Sequence, residues 1–256
     1  MEVDVKELFS LKDKVALVTG STQGIGKAIA YGLGKAGAQV IVSSRKQENV
    51  DETVNEFKEE GIAVHGIAAN VGKEEDIDKL IKETTSKFNA LHIIVNNAAA
   101  NPEFGPLVRS TTTAFDKIMD VNVKAPLEIV KKAYPYLKHG GGSIINVSSV
   151  GGLTPEPQLG VYSVSKAALV SLTKVMAKEM GRDNIRANVI CPGLVKTKFS
   201  EALWKNKAIA SAALQKLPLS KFAEPEEMIG IALFLASDAA SYCTGGVYTA
   251  DGGYTI

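Results

Sequence analysis

Seven short runs of Val, Ile and Leu, separated by longer amphipathic or charged stretches, set the strongest limit on how this chain can fold. The runs lie near 15–18, 39–43, 62–67, 91–95, 143–147, 185–190 and 246–249. They are apolar throughout rather than alternating, the pattern of strands covered on both faces. Helical patterns fill the gaps, near 24–35, 47–60, 74–88, 115–138 and 161–180. Such alternation predicts a parallel sheet with right-handed crossovers. The expected fold is a Rossmann-type, doubly wound α/β sheet of about seven strands in three α/β/α layers, one domain over 1–256. Pro225, between Glu224 and Glu226, suits a first helical turn. Gly140-Gly141-Gly142, just after His139, stops the helix ahead of the fifth strand.

Composition excludes several classes of function. Lys and Arg number 29 against 28 Asp and Glu, so the net charge is +1. That leaves no excess field for nucleic acid or an anionic membrane. Cys191 and Cys243 cannot make a disulfide framework or a four-thiolate zinc site, and His65, His92 and His139 are scattered. No metal is expected. There is no Gly-x-Ser-x-Gly elbow of a serine hydrolase. No apolar run approaches the roughly 20 residues that span a bilayer. The charged start, Met1 to Glu7, lacks a signal peptide's apolar core, and Tyr254-Thr255-Ile256 is not a peroxisomal address. The expected compartment is the cytoplasm.

The first apolar run leads straight into Thr19-Gly20-Ser21-Thr22-Gln23-Gly24-Ile25-Gly26, followed by a helix. A glycine-rich turn between a first strand and a helix is the setting of a dinucleotide site. Gly20 permits the tight turn, Gly24 lets backbone approach a pyrophosphate, and Gly26 allows close helix packing. Free N–H groups and the helix dipole then hold the phosphates. An acid about 20 residues further on would bind the ribose 2′-hydroxyl of NAD. This chain has Ser44-Arg45-Lys46 there instead. Arg45 can form charge-assisted hydrogen bonds to a 2′-phosphate, so the expected cofactor is NADP(H) rather than NAD(H). Gln23 stands where many NADP-dependent chains carry a second basic residue.

Tyr162 and Lys166 are four apart on one helical pattern and share a face. Ser149 ends the fifth strand, where open α/β sheets place ligands. A phenol titrates near pH 10, and a nearby ammonium such as Lys166 favours its ionised form. Alternation sends the side chains of Ser148 and Ser149 opposite ways. Pro126 has no N–H, so the carbonyl of Asn122, four residues earlier, loses its helical partner and can hold a water.

With these motifs, Asn96-Asn97-Ala98-Ala99, and Pro192-Gly193 with Thr197, nearly the whole chain from Lys14 to Gly253 resembles the short-chain dehydrogenase/reductase family. It is most similar to that family's NADPH-dependent carbonyl and retinal reductase branch. The resemblance implies that Tyr162 exchanges a proton with the substrate oxygen, that Ser149 hydrogen-bonds that oxygen, and that Lys166 also binds the nicotinamide ribose. It implies a proton relay through a water on the Asn122 carbonyl. It maps Asn70 and Val71 to adenine, and Asn97, Ala98 and Ala99 to the ribose. Val195 and Thr197, after Pro192-Gly193, would approach the nicotinamide carboxamide. Ala99 replaces the family's usual glycine.

The resemblance also implies a variable substrate lid at about 198–216, where Leu203, Trp204, Ala208, Ala212 and Ala213 are apolar. Trp204 either covers a hydrophobic substrate or packs the lid down. Asn101, Phe104 and the Pro155-Glu156-Pro157 stretch are further candidate pocket residues. The expected activity is reduction of a small carbonyl compound to an alcohol, by a homotetramer. The alternatives are a 3-oxoacyl-[acyl-carrier-protein] reductase and an NADP-binding regulator. The first would use Lys196, Lys198, Lys205 and Lys207 to dock an acidic carrier. The second would have lost Tyr162 or Lys166. Apolar 229–236 and 245–249 suit either a subunit interface or the core.

Overall fold

The computed structural model describes residues 4–256, apart from the side chains of 202, 208 and 209. Ala208, counted above toward an apolar lid, and the first three residues of the charged start lie outside that description. The chain runs α1 (Val5–Leu8), β1 (Val15–Thr19), α2 (Gly24–Lys35), β2 (Gln39–Ser44), α3 (Gln47–Glu59), β3 (Val64–Ala68), α4 (Glu74–Phe88) and β4 (Ile93–Asn96). It continues through α5 (Thr112–Met119), α6 (Ala125–Leu137), β5 (Gly142–Val147), α7 (Gly160–Met180) and β6 (Ile185–Pro192). It closes with α8 (Glu201–Lys205), α9 (Lys207–Leu214), α10 (Ile229–Ala236) and β7 (Val247–Ala250).

All seven strands pair in parallel, in the order β3-β2-β1-β4-β5-β6-β7. The strand order reverses between β1 and β4. A crevice therefore opens at their carboxyl ends, the place where such sheets bind ligands. Alternate strand residues feed two separate cores. Ala16, Val18, Val40, Val42 and Ile145 pack with Ile29, Leu33 and Leu235 on one face. Val15, Leu17, Ile41 and Ile144 pack with Leu80, Ile129 and Met176 on the other. This two-sided burial is why the strands read as unbroken apolar runs.

The third strand starts later than its apolar run suggests. Ile62 is buried but not paired in the sheet: its N–H donates to Phe57 O at 2.9 Å, and its side chain fills the space left by Gly34. Around Pro225 the chain forms a 3₁₀ turn closed by a reciprocal capping box between Glu224 and Glu227. α10 belongs mainly to the core, since Ala232, Leu235 and Ala236 are buried and Ile229 occupies the space a side chain at Gly32 would need. Among the described residues, no helix is long and apolar enough to cross a membrane.

Candidate active site

Side-chain hydrogen bonds fasten the glycine turn to the loop after β4. Asn97 Nδ2 donates to Thr19 O at 3.0 Å and Gly20 O at 3.1 Å. The Thr19 hydroxyl oxygen accepts the Asn97 and Ala98 N–H groups, both at 3.1 Å. Gly20 and Gly24 take positive φ, +63° and +54°, a region closed to most side chains. A Cβ on Gly26 would lie 2.3 Å from Asn97 Nδ2 and 2.5 Å from Gly20 O, so only glycine fits beneath this clamp.

Above the turn is a crevice lined by Gly20, Thr22, Gln23, Gly24, Ile25 and Gly26 on one side. Ser44, Arg45, Asn70 and Val71 line its far end, and Asn97, Ala98, Ala99, Tyr162, Lys166 and Thr197 its near end. These are the residues that sequence reasoning assigned to a dinucleotide. Bare glycine backbone at the start of α2 fits a pyrophosphate, because a side chain at Gly24 would fill the space up to the Thr197 methyl. Arg45 is exposed, lines the crevice and makes no ion pair among the described residues.

Ser21, Pro192, Gly193 and Val195 do not line the crevice. The Ser21 hydroxyl is occupied between strands, donating to Val18 O at 2.6 Å and accepting from Ser43 N at 2.9 Å. Lys117 and Lys198 do line it; the sequence gives no sign of Lys117 and assigns Lys198 only to a carrier-docking patch. Lys117 shares a helical face with Val121, an i,i+4 signal that points nowhere until the loop after β3 is packed beside it.

At the near end, α7 carries Tyr162 and Lys166 against the end of β5. Lys166 Nζ donates to Val147 O at 2.8 Å and lies 5.6 Å from the centre of the Tyr162 ring. The neighbouring serines point opposite ways. The Ser148 hydroxyl donates to Lys166 O at 2.8 Å and ties α7 to the sheet. The Ser149 oxygen accepts Gly151 N–H at 3.1 Å, and its hydroxyl is beside the Tyr162 phenol.

Burial governs both ionisable groups. Desolvation pushes the Tyr162 phenol up to about 12, against the opposing hydrogen bond from Ser149. It pulls the Lys166 ammonium down to about 8. The phenol is therefore held protonated at neutral pH. Loss of solvent is the largest influence on the phenol.

Asn122 is buried in a π-helical turn, Asp120–Lys124, where Ala125 N–H reaches back to Asp120 O. Its side chain makes two hydrogen bonds to Ala100, accepting N–H at 2.8 Å and donating to O at 3.1 Å. It makes a third to Ser165 Oγ at 3.0 Å. The sequence points to its carbonyl. The side chain also joins the β4 loop to α7, one residue before Lys166.

A second cavity, about 280 Å³, opens on the other side of Tyr162. Asn101, Glu103, Phe104, Arg109 and Gln158 line it. Trp204 and Pro155 line neither cavity. Trp204 Nε1 donates to Thr197 O at 3.1 Å and so pins α8 down. Phe199, which sequence reasoning passed over, lies against Tyr162 with ring centres 5.7 Å apart.

The family model described as enoyl-(acyl carrier protein) reductase matches residues 20–255. Dehydrogenase/reductase SDR family member 4 of Oryctolagus cuniculus is 47% identical over 95% of this chain and 94% of its own length. The chain belongs to the short-chain dehydrogenase/reductase family. It is similar in structure to a gluconate 5-dehydrogenase of Burkholderia cenocepacia solved with NADP and tartrate. That match has a TM-score of 0.95 and 30% identity over 98% of this chain and 99% of the other. A 3-oxoacyl (acyl-carrier-protein) reductase of Agrobacterium tumefaciens, solved with NADP, gives 0.92 and 29% over 98% of each.

Proposed function

We propose that this short-chain dehydrogenase/reductase uses NADPH to reduce a small ketone or aldehyde to its alcohol, with Tyr162 as the proton donor. The observation that carries the proposal is the placement of the Tyr162 phenol on the wall shared by the two cavities, beside Ser149 and with Lys166 Nζ 5.6 Å from its ring centre. NADPH, when bound in the crevice, supplies the hydride for the carbonyl carbon. Tyr162 gives its phenolic proton to the carbonyl oxygen. The Ser149 oxygen already accepts Gly151 N–H, which leaves its own proton to donate to the same carbonyl oxygen. Lys166, as ammonium, favours the phenolate left on Tyr162 and holds the ribose. Asn122 keeps the β4 loop and α7 in register.

Arg45, free of ion pairs among the described residues and lining the crevice, supports a 2′-phosphate, as does the NADP in the gluconate 5-dehydrogenase structure. Carrier-protein docking has less support. Of the four lysines expected to form its patch, Lys196 and Lys205 are paired with Glu224 and Glu201. Exposed Val164 and Val175 on α7 and Phe115 on α5 support self-association, read as a homotetramer; sedimentation of the pure protein tests it. Free Cys191 and Cys243 fit a reducing compartment such as the cytoplasm. The activity test is NADPH oxidation against a panel of small ketones and aldehydes. Turnover of some of them, with NADH much less effective, is expected. NADPH binding with no turnover of any carbonyl would overturn the proposal in favour of a binding protein.

A further inference from the structure

The second cavity carries information about the substrate that the catalytic residues do not. Its floor is set by a short parallel bridge between Gly105 and Leu159, with Gly105 N–H donating to Gln158 O at 3.0 Å. The bridge holds the 101–110 loop against the segment that leads into Tyr162. Leu107 packs over Gly160, where a Cβ would come within 2.9 Å of it. The loop is therefore fixed relative to the phenol.

Two charged side chains line this cavity, and they are engaged differently. The Glu103 carboxylate accepts Thr111 N–H at 3.2 Å and the Thr111 hydroxyl at 2.7 Å, at the start of α5. It is drawn toward that helix end. Arg109 has no ion pair or side-chain hydrogen bond to any described residue, not even to Glu103, six residues away. It closes a 3₁₀ turn, Leu107–Arg109, whose backbone bond from Arg109 N–H to Pro106 O at 2.9 Å sets the loop's direction. Phe104 supplies an apolar wall beside it. A cavity of about 280 Å³ is at the lower end of small-ligand sites. It offers one reacting end at Tyr162, an apolar side and one uncompensated guanidinium. Planar guanidinium groups recognise carboxylates through two parallel hydrogen bonds.

We propose that the substrate is an oxo acid, a small carbonyl compound whose carboxylate is held by Arg109 while its carbonyl lies at Tyr162. This rests on the carbonyl-reductase reading above and narrows it. Of the two readings open for Trp204, it sets aside the cover over a hydrophobic substrate, since Trp204 is turned to Thr197.

The test pairs oxo acids with their methyl esters and measures kcat/KM with NADPH for the wild type, Arg109→Gln and Arg109→Glu. Arg109 is exposed, so neither substitution disturbs the core. The wild type should prefer acid over ester by about tenfold or more, the scale of one charge-assisted pair. Arg109→Gln should bring that ratio toward one, mainly through KM for the acid. Arg109→Glu should favour the ester. An acid-to-ester ratio that is the same in all three proteins, or a wild type that prefers the ester, would overturn the role of Arg109 and leave carbonyl reduction standing. No NADPH oxidation with either member of any pair would overturn carbonyl reduction itself, and the oxo-acid assignment with it.

Discussion

Lys166 lets the physics of the site be tested without any substrate. Its side chain is 2% exposed, its ammonium donates to the Val147 carbonyl, and no carboxylate among the described residues pairs with it. Burial lowers its pKa from 10.5 to about 8. The unfolded chain therefore binds more protons between those values, and stability must rise with pH across that window. The contribution is fully present above the unfolded value and is lost as pH falls through the folded one. The full shift corresponds to about 3 kcal/mol, at 1.36 kcal/mol per unit. Between about pH 6.5 and about pH 9.5 the part in play is about 2 kcal/mol. Lys166→Met removes the titration. It also removes the bond to Val147 O, but that loss is the same at every pH. Urea unfolding of the cofactor-free wild type and variant over this range isolates the difference. The wild type should gain about 2 kcal/mol on the variant as pH rises. A constant gap, or one that closes with rising pH, would refute the claim that burial controls this lysine.

Other outcomes follow from the same geometry. Gly26→Ala should displace Asn97, cost about 1–3 kcal/mol of stability in urea unfolding, and weaken NADPH binding by fluorescence titration, because its Cβ overlaps the clamp. Arg45→Asp should shift preference toward NADH, read as the ratio of kcat/KM for the two cofactors; an unchanged ratio would remove Arg45 from phosphate recognition. Ser149→Ala should lower kcat by about 10²-fold or more while NADPH still binds, as expected for a donor to the developing oxyanion.

Much of this was legible in the chain because it depends on short-range rules. β1 to α2 is an apolar strand, a turn whose glycines permit positive φ, and a helix. Tyr162 and Lys166 are one helical turn apart. Long-range packing hid the rest. Ile62 reads as a strand residue because it is buried, yet it fills the space over Gly34. Trp204 reads equally as a substrate cover or as a lid anchor, and only the bond from its N–H to a carbonyl seven residues earlier favours the anchor. Phe199, Lys117 and Lys198 reach the site only through folds of the chain that no local pattern records. The phenol's high pKa depends on how much solvent the assembled site excludes, which spacing cannot show.

The central claim is that Tyr162 delivers the proton to a carbonyl reduced by NADPH. Tyr162→Phe removes that proton and little else. Measured side by side, turnover of an accepted carbonyl should fall by about 10²-fold or more, while NADPH titration gives the wild-type affinity. A Tyr162→Phe protein that kept most of its turnover would contradict the account at its centre.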